Sequence, residues 1–416
     1  MSPQLPGAVA FEDIERAAER LDDETVVKRT PVELSTSLGE MVGGDVHLKM
    51  EHLQWTGSFK TRGAYNKIKQ SVADGDVDEV VAASAGNHAQ GVALAATRLG
   101  VDSTIVMPKT APQTKIDATR GYGATVELVG QDFQEAMAYA QDQTDAAGVE
   151  FVHAYDDPAI VAGQGTLGIE MYEDLPAVDT VVVPIGGGGL IAGIATAFAE
   201  LAPDVRVVGV QAVDAATVPD SLDKGIPMTL DDVATIADGI ATGGISELTY
   251  SAIEEHVDEV VTVTDNEIAK AVLVLMERAK QIVEGGAAPV AAMLGDDLDV
   301  TGETVMPVLS GGNLDMTMLQ TVLVHALTDR EQILRLQVRI DDVPGKMEEI
   351  AGVIADHGAN IQTVEHNRAV ADLDVGEAYL VFRIETAGFE HAHDIVQAVE
   401  DRGYEVKHVN RDRAAR

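Results

Sequence analysis

TVVVPIGGGGLIAGIATAFAELAP, residues 180–203, joins an uninterrupted β-branched run to four glycines and then to an Ala-rich helical pattern. A strand buried on both faces reads as continuous apolar sequence, which places this run in a parallel sheet covered by helices. Four glycines between strand and helix let backbone N–H groups converge on an anion at the helix N-terminus, because no Cβ stands in the way. Gly186, Gly187, Gly188 and Gly189 are therefore candidates to hold a phosphate. A dinucleotide fingerprint fits poorly, since Ile191 stands where its third glycine belongs, and the GxxxxGK[ST] pattern of nucleotide triphosphate loops is absent.

Working outward, VVAAS at Val80, STIVM at Ser103, ATVELV at Ala124, RVVGVQAV at Arg206 and TVMPVL at Thr304 alternate with helical stretches such as AQGVALAATRLG after His88. This rhythm predicts an α/β class with open twisted sheets, whose ligands bind beyond the carboxyl ends of the strands. SAGNHAQG, residues 84–91, follows one strand and opens a helix. The hydroxyl, amide and backbone donors of Ser84, Gly86, Asn87 and His88 suit a carboxylate, although a Ser-initiated helix cap would account for the loop without any ligand. SGGN, residues 310–313, repeats the strand, turn and helix arrangement and places the Ser310 hydroxyl where it could meet a ring nitrogen. GSFKTRGA, residues 57–64, carries Lys60. An isolated lysine of this kind reads as a solvated charge; beside a phosphate turn and a carboxylate loop it reads as a Schiff-base lysine for pyridoxal phosphate chemistry on an amino acid.

Near residue 329 the pattern changes. QILRLQVRI from Gln332, PGKMEEIAGVIADHG, ANIQTVEHN, EAYLVFRIET, EHAHDIVQAVEDRG and a last strand at Tyr404 give βαββαβ, the ferredoxin-like order. HALTDREQ, residues 325–332, reads as a connector. The expected domains are 1–328, with a smaller subdomain at about 50–148, and 329–416.

The 416 residues carry 29 Lys and Arg against 69 Asp and Glu, a net charge of −40. Nucleic acid is an improbable partner for such a surface. Self-repulsion is strong in dilute buffer and largely screened at molar salt, where the Debye length is about 3 Å, so a salt-rich cytoplasm is expected. The absence of cysteine excludes disulfides, thiolate catalysis and Cys-ligated zinc. The N-terminus lacks a signal-peptide pattern, and no apolar run is long enough to span a membrane.

Residues 1–328 resemble the threonine dehydratase (threonine ammonia-lyase) group of fold-type II, tryptophan synthase β-like pyridoxal 5'-phosphate enzymes. SFKTRGA, SAGNHAQG, GGGGL and SGGN occur in that group's order. The resemblance implies that Lys60 forms the Schiff base, Phe59 packs beside it, Asn87 hydrogen-bonds the ring hydroxyl, Gly186 to Gly189 hold the phosphate and Ser310 faces the pyridine nitrogen. Ser84, Gly86, Asn87 and His88 would line the substrate carboxylate. It further implies β-elimination of threonine to 2-oxobutanoate and ammonia, and of serine to pyruvate, with the cofactor phosphate protonating the departing hydroxyl. Ser310 rather than Asp at the ring nitrogen makes a weaker electron sink, which suits elimination.

Residues 329–416 resemble an ACT domain through DDVPGKMEEIA and HGANI. Asp341, Asp342, Gly345 and Asn360 are then candidates for an amino-acid effector, isoleucine with valine as a possible opponent, in a homo-oligomer, dimer or tetramer, at the first step of isoleucine biosynthesis. Ala85 replaces the second serine by which related serine racemases exchange a proton, so dehydration should dominate. Gln211 replaces a cation-binding Glu of some relatives, and His391 and His393 point to different sides of a helix, so no metal is expected. Glu284 is one further acid to watch. A serine dehydratase or racemase-like enzyme and a non-catalytic amino-acid sensor remain the alternatives.

Overall fold

Three sheets organise residues 8–21, 23–75 and 77–408, which the computed structural model describes. In the largest, the strands run in the spatial order Val32–Leu34, Asp45–Lys49, Thr304–Pro307, Thr180–Pro184, Arg206–Ala212, Glu259–Val263. All pairs are parallel except the first. Every residue of Thr180–Pro184 is buried, as the continuous apolar run requires. Helices Pro158–Asp174 and Gly189–Leu201 pack so closely that a Cβ on Gly193 would lie 2.5 Å from the Gly165 nitrogen. Val181, Val183, Ile191, Ile194, Phe198 and Met306 form the core on this side.

The second sheet is wholly parallel, in the order Thr125–Leu128, Asp102–Met107, Glu79–Ala83, Val149–Phe151. Helices Lys60–Asp74 and Asn87–Leu99 bury Ile68 and Val92 with Val80, Ile105 and Met107.

Each parallel sheet has a point where the chain reverses its direction of travel across the sheet, and a crevice opens there beyond the strand ends. In the second sheet it lies between Glu79–Ala83 and Val149–Phe151, so the loops starting at Ser84 and Val152 diverge from it. In the large sheet it lies between Thr180–Pro184 and Thr304–Pro307, from which the glycine run and the SGGN loop leave. All three motif loops therefore issue from reversal points.

The chain divides into two compact units, Met1–Asp315 and Met316–Arg416. Two details differ from the sequence reading. Residues 325–329 close a helix, Met316–Asp329, that belongs to the second unit rather than forming a free connector. SGGN does not open a helix; the chain stays irregular until Met316.

The second unit contains an antiparallel sheet in the order Asn360–Asn367, Glu377–Glu385, Ile333–Asp341, Glu405–His408, with helices Lys346–Asp356 and Phe389–Glu400. That is the βαββαβ arrangement, cored by Leu334, Leu336, Ile354, Phe382 and Ile395. No helix among the described residues is long and apolar enough to cross a membrane.

Candidate active site

Lys60 is the first residue of helix Lys60–Asp74, delivered there by the SFKTRGA segment. Its Nζ donates to Ala154 O at 3.2 Å and lies 5.0 Å from the centre of the Phe59 ring. The residue is only partly buried as a whole, but loss of water around the amine pushes its pKa down to about 8. An amine so placed has an accessible neutral form near neutral pH, as imine formation and proton abstraction both require.

A cavity of about 770 Å³ opens beside it, lined by Lys60, Ser84, Gly86, Asn87, His88, His153, Tyr155, Thr242 and Glu284. A narrower hollow shares Lys60, Ala154, Tyr155, Gly239 and Thr242 and adds Phe59, Gly186 to Gly189 and Ser310. The structure thus brings together every residue that the sequence reading placed around the cofactor. Glycine is obligatory here: a Cβ on Gly187 would fall 2.2 Å from the Tyr155 ring, and Gly188 sits at φ 86°. Thr249 Oγ1 steadies the turn by donating to Gly187 O at 2.9 Å.

The hollow suits pyridoxal phosphate. Helix Gly189–Leu201 directs its first N–H groups toward the glycine turn, and the Thr242 hydroxyl on the same wall is buried without a partner. Ser310 is buried across from the glycines, and Gly286 leaves it room, since a Cβ there would stand 2.9 Å from Ser310 Oγ.

Ser84 does not cap the helix it precedes. Gly86 is the N-cap of Asn87–Leu99, and Ser84 Oγ accepts from Gly86 N–H at 3.1 Å. Asn87 is clamped from two sides: its Nδ2 donates to Glu284 Oε1 at 2.5 Å and its Oδ1 accepts from Asn313 Nδ2 at 2.9 Å. His88 is buried and its Nε2–H donates to Val152 O at 2.8 Å; burial, reinforced by the charge of Lys60, pushes its pKa down to about 3, so it is a neutral prop. Ala85 is absent from the cavity wall and packs on the core of the smaller sheet.

Glu284 is 6% exposed. Burial raises its pKa, against the hydrogen bond from Asn87 and the charge of Lys115. An acid whose folded pKa is raised gives stability present below its unfolded pKa and lost as pH rises through the folded value. Glu284→Gln keeps an oxygen for Asn87 and cannot ionise. Its melting temperature relative to the native protein is expected to rise between pH 5 and pH 8, read by thermal denaturation; a constant difference would contradict a buried, reluctant carboxylate.

Gln211 bridges its own loop, donating to Ala215 O at 3.3 Å and accepting from the N–H groups of Thr217 and Val218 at 3.1 and 2.8 Å. In the second unit, His391 is held by Ala387 N–H and His357 O, while His393 stacks on Phe389. Asp342 and Gly345 border a separate cavity of about 400 Å³ with Ile340, Val343, Met347, His366, Arg368 and Leu380. Asp341 and Asn360 do not line it; Asn360 donates to Glu385 at 3.1 Å.

The sequence reading missed His153, Tyr155, Lys115 and Asp238. Lys115 pairs with Asp238 at 2.6 Å at the cavity wall. The signal for His153 and Tyr155 was a strand of three residues, VEF, too short to stand out as an apolar run.

A family model described as "Pyridoxal-phosphate dependent enzyme" matches residues 24–311. An L-threonine ammonia-lyase of Thermotoga maritima is 44% identical over 400 residues, covering 96% of this chain and 99% of its own. Among solved structures, a processed threonine deaminase isoform of Solanum lycopersicum superposes with a TM-score of 0.72 at 36% identity, covering 76% of this chain and 93% of its own. Maize serine racemase gives 0.72 at 32% identity, with 78% and 99% covered.

Proposed function

This chain belongs to the pyridoxal-phosphate dependent enzymes, and from that membership we propose that it is a threonine ammonia-lyase, converting L-threonine to 2-oxobutanoate and ammonia, and L-serine to pyruvate. The observation that carries the reading is the position of the Lys60 amine on the floor of one cavity, between a glycine cradle and a carboxylate loop.

When bound, pyridoxal phosphate supplies an aldehyde that condenses with amines and a ring that delocalises an electron pair released at the amino acid's Cα. Gly186 to Gly189 and Thr242 hold its phosphate, Phe59 flanks its ring, Asn87 and Ser310 address the ring's polar atoms, and Lys60 anchors it between turnovers. The backbone and hydroxyl of the Ser84 loop orient the substrate carboxylate, which fixes Cα within reach of Lys60. There the Lys60 amine takes the Cα proton, and its pKa near 8 suits both taking and returning it. The β-hydroxyl leaves as water, its added proton balancing the one that Lys60 took from Cα, and the enamine left behind tautomerises and takes up water to give the 2-oxo acid and ammonia. Ala85, turned into the core, offers no second base on the opposite face, which weighs against racemisation.

The second unit is read as an ACT domain that binds an amino-acid effector. Asp342 and Arg368, paired with each other at 2.6 Å, would part to meet the ligand's ammonium and carboxylate, and Ile340, Val343, Met347 and Leu380 suit an aliphatic side chain, for which isoleucine is the candidate and valine the opponent. On this reading the enzyme acts at the first step of isoleucine biosynthesis. Exposed Leu34, Met41 and Trp55 support association into a dimer or tetramer. With a net charge of −40, the working medium is a salt-rich cytoplasm.

The test is 2-oxo acid release from L-threonine, L-serine and O-phosphohomoserine at molar salt, with and without isoleucine. Threonine and serine are expected to react, with isoleucine inhibiting. Absence of product from both would remove the lyase reading and favour a non-catalytic sensor.

A further inference from the structure

Beyond Lys60, the cavity presents a ring donor that the fold orients and does not itself use. His153 follows the strand Val149–Phe151 at the reversal point of the smaller sheet, directly opposite the Ser84 loop. Its Nδ1 accepts from Asp156 N–H at 2.7 Å and from Tyr155 N–H at 3.3 Å. Two backbone donors on one ring nitrogen leave its lone pair engaged, so the proton of the neutral ring resides on Nε2. The Tyr155 ring meets the imidazole edge-on, with centroids 4.8 Å apart and planes at 77°, and so fixes its plane. Among the described residues Nε2 has no protein partner, while the side chain lines the cavity.

Resting on the lyase reading, we propose that His153 is a specificity-determining residue that donates a hydrogen bond from Nε2–H to the β-hydroxyl of the substrate. The adjacent residue supplies the geometry. Ala154 O receives the Lys60 amine at 3.2 Å, so His153 flanks the space where Cα must sit to lose its proton, and the β-carbon is one bond away. Two neighbouring polar side chains are engaged elsewhere: the Asn87 amide is held by Glu284 and Asn313, and the His88 ring donates to Val152 O. Burial lowers the His153 pKa, with Asp156 opposing and the charge of Lys60 adding to the effect, in keeping with a neutral ring. A neutral imidazole keeps its proton through the step. It stabilises charge developing on the departing oxygen, and it selects substrates with an oxygen at that place.

The experiment compares kcat/KM of the holoenzyme for L-serine and for β-chloro-L-alanine, whose chloride leaves without needing a comparable hydrogen bond. His153→Phe keeps an aromatic ring and removes the donor; His153→Gln keeps an N–H. His153→Phe is expected to lower kcat/KM for serine by about 10- to 100-fold while leaving chloroalanine nearly unchanged, as loss of one donor to a developing charge implies. His153→Gln is expected to recover part of the loss. Equal losses on both substrates, or none on either, would overturn the proposal and leave His153 as a wall of the cavity. If the native enzyme eliminates from chloroalanine yet not from serine or threonine, the substrate reading itself fails, and this is visible before any variant is made. Retention of the visible cofactor band in both variants confirms that each is folded and loaded.

Discussion

Lys60→Ala is expected to lower turnover of threonine by about 10⁴-fold or more and to abolish the blue-violet absorbance of the lysine-linked cofactor, because one amine serves as both anchor and base. Fold stability should not follow activity. In the cofactor-free protein the Lys60 pKa is lowered to about 8 by desolvation, so the folded state resists its charge. For a base with a depressed folded pKa, that cost is present at neutral pH and disappears as pH rises from about 8 toward the unfolded value. Removing the amine should therefore stabilise the apoprotein at pH 7, with a gain that shrinks at pH 10. Activity, absorbance and denaturation midpoint together check this. An intact band or near-native turnover in the variant would end the assignment of Lys60.

Arg62→Met is expected to produce the opposite pattern, a loss of stability of about 3–5 kcal/mol, the usual effect of removing one partner from a buried charge network. Arg62 lies two residues beyond Lys60 on the same helix and is 1% exposed. It pairs with Glu51 at 2.8 Å and with Glu170 at 2.7 Å. Burial works against its charge, but Glu51 and then Glu170 outweigh that and raise its pKa. Glu51 is fully buried; burial alone would raise its pKa, yet Arg62 and Lys49 hold it below the ordinary value. Lys49, equally buried, pairs with Glu170 and Asp174 at 3.1 Å. The network ties the strand Asp45–Lys49 to helices Lys60–Asp74 and Pro158–Asp174, so it holds the start of the lysine-bearing helix in place.

Salt separates this effect from surface charge. Raising salt should stabilise native protein and variant alike by screening the acidic surface, while the gap between their denaturation midpoints stays nearly constant, since buried pairs are screened far less. A gap that closes at molar salt would show that the Arg62 pairs behave as surface pairs.

The glycine turn, the carboxylate loop and Lys60 were legible because their chemistry constrains the residue itself: a turn against Tyr155 admits no Cβ, and an imine needs an amine. The Ser84 loop lines the cavity, and the Ser-initiated cap that would have explained it without a ligand is not made, because Ser84 Oγ turns to Gly86 N–H two residues on. Arg62 stood inside a motif without a visible task. Its partners Glu51 and Glu170 are 11 and 108 residues away, and a charge becomes informative only when its counter-charges are known. His153 escaped because a histidine after a three-residue strand carries no pattern of its own.

The sequence by itself determined the two architectures, parallel α/β and βαββαβ, because burial periodicity and backbone freedom are local properties of neighbouring residues, and its motifs pointed to the cofactor class. Only the tertiary structure decided which loops share a cavity, how Asn87 is clamped, which nitrogen of His153 carries the proton and where Arg62 spends its charge. Those outcomes depend on strand order and on groups brought from distant parts of the chain into a medium of low dielectric, where each polar atom must find a partner or remain available to a ligand.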